Sequence, residues 1–354
     1  MAMTDAAAKD EGRARPAGAV PATLVTGFLG SGKTTLLNRL LKRPEMAASV
    51  VIVNEFGEIG IDHVLIETAL EDAVLLKSGC ICCTVRGDLV DTLASLAARR
   101  DAGTIPPFRR ALIESTGLAD PAPILQDLMA ARALEGRFRL ERVIATVDAA
   151  NAERQLATQY ESAKQVALAD ALVLTKTDLI PPAAAARVEA LLAALNPRAP
   201  IRAAVMGAIE PRFLFASDDA ADRAERIARV AAAFPAHDHG DGRGEDGAAH
   251  AAHHGIETFA LTRAAPVDWT ALADWLGAIV SLRGADLLRV KGIVNVSGRA
   301  GPVAIDAVQH LFHPPRELAR WPDADRRTRI VFITRNIPRR SLEESFFAAL
   351  GAEA

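Results

Sequence analysis

The sequence predicts an α/β protein: a domain with a mainly parallel sheet flanked by helices, followed by a smaller α+β domain. Three observations predict it. Short β-branched runs alternate with helical stretches over the first part of the 354 residues, the order of a parallel sheet covered on both faces. A tract from His237 to His254, rich in Gly, Asp and His, has no apolar periodicity and reads as a linker or long loop. Beyond it the order becomes β-α-β-β-β-α, which suits a small α+β domain of about 100 residues. The length itself favours two domains over one.

The first strand is Ala22 to Thr26, β-branched and bounded by Pro21 and Gly27. After a glycine-rich turn, Thr34 to Lys42 places Leu36, Leu37, Leu40 and Leu41 on one helical face. Further strands are expected at 49–53, 74–76, 111–114, 143–147, 171–175 and 201–206, with helices at 89–100 and 183–195. In the second part the expected elements are a strand at 258–261, a helix at 269–280, strands at 287–296, 303–308 and 329–334, and a closing helix at 341–350. The organisation read from this pass is a disordered tail over 1–19, a first domain over 20–235, a His-rich linker over 236–255 and a second domain over 256–354.

Composition narrows the function classes. Half the residues are hydrophobic and 24% are charged, the balance of a globular protein rather than a disordered or collagen-like one. With 44 acidic against 41 basic side chains the net charge is −3; such a near-neutral chain has no global field to hold a nucleic-acid backbone, so nucleic-acid binding is not expected. No apolar stretch reaches the roughly 18 residues that span a bilayer. The N-terminus mixes both charge signs and lacks an apolar core segment, so a cytoplasmic protein without membrane association is expected.

The strongest motif is Gly27-Phe28-Leu29-Gly30-Ser31-Gly32-Lys33-Thr34, which fits G-x-x-x-x-G-K-[ST] throughout. Its glycines let the backbone turn N–H groups inward toward phosphate oxygens, and the helix that opens there adds the positive end of its dipole. Lys33 is placed to reach the β- and γ-phosphates from a solvent-open site. The Thr34 hydroxyl is a Mg²⁺ ligand, and Thr35 contacts the α-phosphate. Gly27, Gly30, Ser31 and Gly32 complete the loop.

Two further strand ends belong with it. The strand at 111–114 ends in Glu114, followed by Ser115-Thr116-Gly117. A carboxylate there holds the water shell of Mg²⁺ or positions the attacking water. The more usual residue is Asp, and the extra methylene points to a water-mediated or catalytic role. Thr175-Lys176-Thr177-Asp178 follows the strand at 171–175. Asp178 can accept both donors of guanine N1 and N2, and the Lys176 stem can lie over the base, which favours GTP over ATP. Many GTP-binding proteins carry Asn where Thr175 stands.

All three cysteines fall within four residues, at Cys80, Cys82 and Cys83. An odd number in one short run is no disulfide framework and indicates a metal or redox site in a reducing compartment. The run lies between the strand at 74–76 and the helix at 89–100, on an expected strand-to-helix loop. Its thiolates suit Zn²⁺, Cu⁺ or Co²⁺ better than Mg²⁺. Inert buried thiols, or a redox pair of Cys80 and Cys83, are the other readings. The acidic, glycine-containing segment Asn54 to Asp62 fits a nucleotide-dependent switch, and Glu55 or Glu58 can add an oxygen ligand. Five histidines of the linker, with Asp238 and Asp241, form either a weak metal collector or a tract of no consequence.

Together the segments GFLGSGKTT (27–35), NEFGEIGID (54–62), GCICC (79–83), ESTG (114–117) and TKTD (175–178) resemble the CobW-type P-loop GTPases, metal-handling proteins related to nickel-insertion GTPases. RVKG (289–292) and RNIP (335–338) resemble that family's C-terminal domain. The resemblance implies a GTPase domain, and the motifs read above make Lys33 and Glu114 its expected catalytic residues. It implies a Zn²⁺ or Co²⁺ site built partly by Cys80, Cys82 and Cys83 and coupled to GTP and Mg²⁺. It also implies delivery of the metal to a client metalloprotein, with a homodimer left open. A metal-storage or sensing module that binds GTP with negligible turnover, and a small-molecule kinase, are the competing readings.

Overall fold

The computed structural model describes residues 18–53, 73–75, 81–84, 88–215, 253–322 and 324–351. The described residues fall into two compact units, and each is described by itself.

Among the described residues of the first unit, eight strands form one sheet: β1 (Val20–Gly27), β2 (Ser49–Val53), β3 (Ala73–Leu75), β4 (Ile81–Thr84), β5 (Arg110–Glu114), β6 (Phe138–Asp148), β7 (Ala171–Thr175) and β8 (Ile201–Ala204). Their order is β3-β4-β2-β5-β1-β6-β7-β8. The seven from β4 to β8 run parallel, and β3 closes one edge antiparallel to β4. Parallel strands covered on both faces need continuous apolar runs, and Ser-Val-Val-Ile-Val of β2 and Ala-Leu-Val-Leu-Thr of β7 are buried at every position.

The helices follow from local signals. α1 (Lys33–Leu40) buries Leu36, Leu37 and Leu40 against Val25, Val51, Leu112, Ile144 and Val173 of the sheet. α2 (Leu89–Asp101) starts at Asp88, whose carboxylate accepts the Val90 N–H at 2.7 Å. α3 (Pro121–Ala130) starts at Asp120 with a proline in its first turn. α4 (Ala152–Thr158) and α5 (Tyr160–Leu168) follow β6, and α6 (Pro182–Leu195) follows β7.

This order sets the site. β1 lies in the middle of the sheet. The carboxyl end of β5 lies on one side of it, and those of β6 and β7 lie on the other. In an open α/β sheet, ligands bind where neighbouring strand ends diverge in this way.

In the second unit, β9 (Ile256–Arg263), β10 (Leu287–Val294), β11 (Val303–Val308), β12 (Leu311–Phe312), β13 (Arg316–Glu317) and β14 (Thr328–Arg335) pair antiparallel in the order β12-β11-β10-β14-β9, with β13 on β11. α7 (Trp269–Arg283) and α8 (Arg339–Leu350) complete a core centred on Phe332. Phe259 stacks on Phe332 at 5.8 Å, and Trp275 meets Phe332 and Phe346 edge-on at 5.9 and 5.1 Å. Trp275 is anchored by its N–H donating to Ser345 Oγ.

Several expectations are corrected. The strand expected at 201–206 stops at Ala204, because Val205–Gly207 forms a 3-10 turn with Met206 in the left-handed region. The strand expected at 143–147 begins earlier, at Phe138. Helices α3, α4 and α5 and strands β4, β12 and β13 lie where the sequence reading placed no element. The expected tail lies outside the described residues up to residue 17. The expected linker lies outside them up to residue 252.

Candidate nucleotide site

Gly27 ends β1 at φ 138°, and a Cβ there would collide with the hydroxyl and carbonyl of Thr146 on β6. Only glycine allows this approach. The Ser31 hydroxyl meets the Thr146 hydroxyl at 2.6 Å, and the Ser31 N–H donates to the Phe28 carbonyl at 3.1 Å. Ser31 therefore shapes the loop by seating it on β6. Gly30 and Gly32 follow at φ 69° and 94°.

Lys33 is the first residue of α1. Its ammonium donates to the carbonyls of Gly27 at 2.8 Å and Phe28 at 3.2 Å, spanning the loop it belongs to. The solvent-open setting expected for it is corrected: Lys33 is only 8% exposed. Its ammonium is turned back onto the backbone oxygens of its own loop.

The next residue joins α1 to the end of β5. The Thr34 hydroxyl donates to Glu114 Oε1 at 2.7 Å. Glu114 is the last residue of β5 and is buried. A hydroxyl and a carboxylate side by side at the mouth of a phosphate-binding loop are hard oxygen donors, the kind Mg²⁺ prefers. Thr35 stands exposed on α1.

The segment after Glu114 is held from several sides. Ser115 donates to Thr26 Oγ1 at 2.9 Å, and a Cβ on Gly117 would fall 2.6 Å from the Leu29 nitrogen. Gln165 of α5, buried, donates to the carbonyls of both Gly117 and Ala119 at 3.1 Å. Lys164 pairs with Asp120 at 2.6 Å.

On the other side of β1, Thr175 is the buried last residue of β7. Its hydroxyl donates to the Ser31 carbonyl at 2.7 Å and the Val147 carbonyl at 3.1 Å. Lys176 adopts φ 57°, and its ammonium lies 2.7 Å from Asp148 Oδ2. Asp178 is exposed in the 3-10 turn Thr177–Leu179. Asp148, the last residue of β6, is buried. Burial pushes its carboxyl up, but hydrogen bonds from Lys176 and Asn151, the Lys176 charge and the Ala150 N–H outweigh that, and the net shift is downward.

The cysteine expectation changes in one respect. Cys82 and Cys83 lie within β4, in register with Val51 and Ile52 of β2 and with Val74 and Ala73 of β3, and not on a loop. Pairing on both sides makes that segment a strand. Cys80, Glu55 and Glu58 lie outside the described residues, as do the histidines of the tract except His253 and His254. Among the described residues, no three His, Cys, Asp or Glu side chains gather as a metal cluster, and no helix is long and apolar enough to cross a membrane.

Four contributors were missed from sequence: Thr146, Asp148, Lys164 and Gln165. Asp148 had a signal, since an Asp at a strand end with Asn three residues on favours a side-chain-closed turn. The other three act on partners far along the chain.

Comparison with known proteins places this architecture. Residues 21–203 match the CobW/HypB/UreG nucleotide-binding domain, and residues 256–350 match the cobalamin synthesis protein CobW C-terminal domain. The chain belongs to the CobW/HypB/UreG family. The zinc chaperone YjiA of Escherichia coli strain K12 is 32% identical to this family member over 327 residues, covering 92% of this chain and 98% of that protein. The zinc chaperone CobW of a Sinorhizobium species is 27% identical over 351 residues, covering 89% and 93%. The crystal structure of the Zn(II)-bound YjiA GTPase from E. coli matches with a TM-score of 0.74 at 30% identity, over 94% of this chain and 99% of that one.

Proposed function

We propose that this protein is a GTP-hydrolysing metallochaperone. It binds Zn²⁺ or Co²⁺ as cargo at a site that includes Cys80, Cys82, Cys83 and Glu55, and it delivers the metal to a client metalloprotein. The observation that carries the reading is the 2.7 Å contact of Thr34 with Glu114 beside the loop spanned by Lys33. The names of the relatives, zinc chaperones over nearly the whole chain, favour zinc as the cargo.

In the reaction, water attacks the γ-phosphorus of GTP, the bond to the β–γ bridging oxygen breaks, and GDP and phosphate leave. Thr34 and Glu114 would hold Mg²⁺, which supplies charge neutralisation on the phosphates. Lys33 exchanges its two backbone acceptors for phosphate oxygens, so its charge meets the charge that develops as the bond breaks. The Thr175–Asp178 loop takes the guanine.

Sheet topology supports coupling between metal and nucleotide. β2 pairs with both β4 and β5, and Val53 at its end is in register with Thr84 on one side and Glu114 on the other. The cysteine strand is therefore one strand away from the carboxylate at the phosphate end. Reciprocity then requires that metal binding alter GTP affinity as GTP alters metal affinity.

Two measurements test the reading. Steady-state phosphate release should stand well above that of Lys33→Ala; equal rates would leave a GTP-binding storage or sensing module. Protein loaded with GTP, Mg²⁺ and Co²⁺ should show sulfur-to-metal charge-transfer absorption that is lost in single Cys→Ala variants at 80, 82 and 83. The parent spectrum in all three would remove the thiolate site.

A further inference from the structure

Lys176 is one of the non-glycine residues held at positive φ, at 57°. Side-chain-bearing residues adopt this conformation only where the surroundings over-determine it, and such positions cluster at ligand sites. Three contacts fix this one. Thr175, just before it, is bonded to the Ser31 carbonyl. The Lys176 carbonyl accepts the Leu179 N–H at 3.1 Å. The ammonium is drawn to Asp148 Oδ2 at 2.7 Å.

Asp148 is built for that last contact. Its side chain is 3% exposed while that of Lys176 is 37% exposed. The carboxylate has partners besides the lysine: Oδ1 accepts the Ala150 N–H at 2.9 Å, and Oδ2 accepts the Asn151 side-chain amide at 2.9 Å. The strands carrying the two residues are adjacent, with Asp148 in register with Thr175. A rigid buried anion thus meets a partly exposed cation on the neighbouring strand end. This fixes the direction of the lysine stem, which would otherwise sample many rotamers.

We propose that Asp148 is a positioning residue for purine recognition: it pins the Lys176 ammonium so that the aliphatic stem of Lys176 forms a fixed platform for the face of the base. The inference rests on the reading of 175–178 as the base loop and deepens it. It divides the labour of the loop: Asp178 distinguishes guanine by its edge, and the Asp148–Lys176 pair supports any purine by its face. The alternative is that Asp148 only closes the turn into α4, in which case Lys176 is incidental to it.

The test is a double-mutant cycle on the full chain with Mg²⁺, using Asp148→Asn and Lys176→Ala. Asp148→Asn keeps size and an acceptor for the Ala150 N–H while removing the ion pair. Parent protein must first bind GTP more tightly than inorganic triphosphate; if it does not, the base-loop reading itself fails, separately from this one. Given that, Asp148→Asn should weaken GTP and ITP alike by about tenfold, since a charged hydrogen bond is lost, and leave triphosphate affinity unchanged. Adding it to Lys176→Ala should weaken GTP less than about twofold further, because both changes remove one interaction. Parent-like GTP affinity in Asp148→Asn, equal loss for triphosphate, or effects that multiply in the double variant would each overturn the proposal. Lys176→Met provides the control if Asp148→Asn fails to fold: it keeps an apolar stem without the charge, and the proposal requires GTP and ITP affinity to fall together there too, with triphosphate unmoved.

Discussion

The Thr175 hydroxyl donates to the Ser31 carbonyl at 2.7 Å, which ties the last residue of β7 to the phosphate-binding loop. Under the proposed reading of 175–178 as the base loop, Thr175 stands where many GTP-binding proteins carry Asn. The geometry gives the hydroxyl another task, that of tying the end of β7 to the loop between β1 and α1. Gly32 lies beside Thr175 at φ 94°, a backbone conformation that side-chain-bearing residues rarely adopt.

Thr175→Val tests that brace. Valine keeps the shape and the β-branched strand end but withdraws the donor from two buried carbonyls. An acceptor left without its donor costs about 1–3 kcal/mol, so thermal stability and GTP affinity should both fall, and Thr175→Ser should restore most of each. Differential scanning calorimetry and equilibrium GTP binding decide it. A valine variant as stable and as tight as the parent would mean the hydroxyl carries nothing.

The strands of this sheet were legible where burial on both faces dictates composition. β2 and β7 are read to the residue, because a five-residue apolar run between polar boundaries has few other uses in a parallel sheet. β4 was illegible for the opposite reason. Two of its four residues are cysteines, whose chemistry dominates the pattern, and its strand character comes from its neighbours β2 and β3. α5 hid because it is buried nearly all round, Lys164 and Gln165 included, so it shows no apolar stripe. At the site, the loop and the strand-end carboxylate could be read from spacing. Thr146 and Gln165 could not, since each acts on a partner between 46 and 120 residues away.

Gly117→Ala probes the contact between the segment after Glu114 and the phosphate-binding loop. The added Cβ would lie 2.6 Å from the nitrogen and 2.7 Å from the Cα of Leu29, and backbone cannot swing aside as a side chain can. One of the two segments must shift, at about 1–3 kcal/mol of strain. Phosphate release should fall by about tenfold or more, since small displacements of a positioned group reduce rates steeply. Unaltered turnover would show that this packing does not set the geometry of Glu114.

Glu114→Gln keeps an acceptor for the Thr34 hydroxyl and removes the charge. If the carboxylate serves the metal and the attacking water, the loss appears in the chemical step. The expected result is a fall of about 100-fold in kcat, the scale of removing one preorganised electrostatic group, with GTP affinity within a few-fold of the parent. Single-turnover hydrolysis beside equilibrium binding separates the two. A loss confined to binding would reassign Glu114 to holding the nucleotide.

The last prediction concerns acid sensitivity of the second unit. Asp325 Oδ1 accepts the Arg327 backbone N–H at 3.0 Å and its Nε at 3.1 Å, and Oδ2 accepts Arg327 Nη2 at 2.9 Å and Arg329 Nη1 at 3.3 Å. The Arg327 side chain, above all, holds the Asp325 carboxyl below its ordinary range. Partial burial opposes it, and the Arg327 N–H and the two guanidinium charges add to it. A carboxyl whose folded pKa is lowered binds its proton less readily folded than unfolded. Its stabilisation is then complete above the unfolded value and fades as pH falls through the folded one. Asp325→Asn should therefore lower stability by about 1–2 kcal/mol at pH 7, and the gap to the parent should shrink once the pH drops below about 4. The three tryptophans, Trp269, Trp275 and Trp321, all belong to this unit, so urea unfolding followed by tryptophan fluorescence reports on it selectively. A gap that stays constant from pH 7 to pH 3 would show that Asp325 acts through its shape and hydrogen-bond acceptors, with its charge contributing nothing.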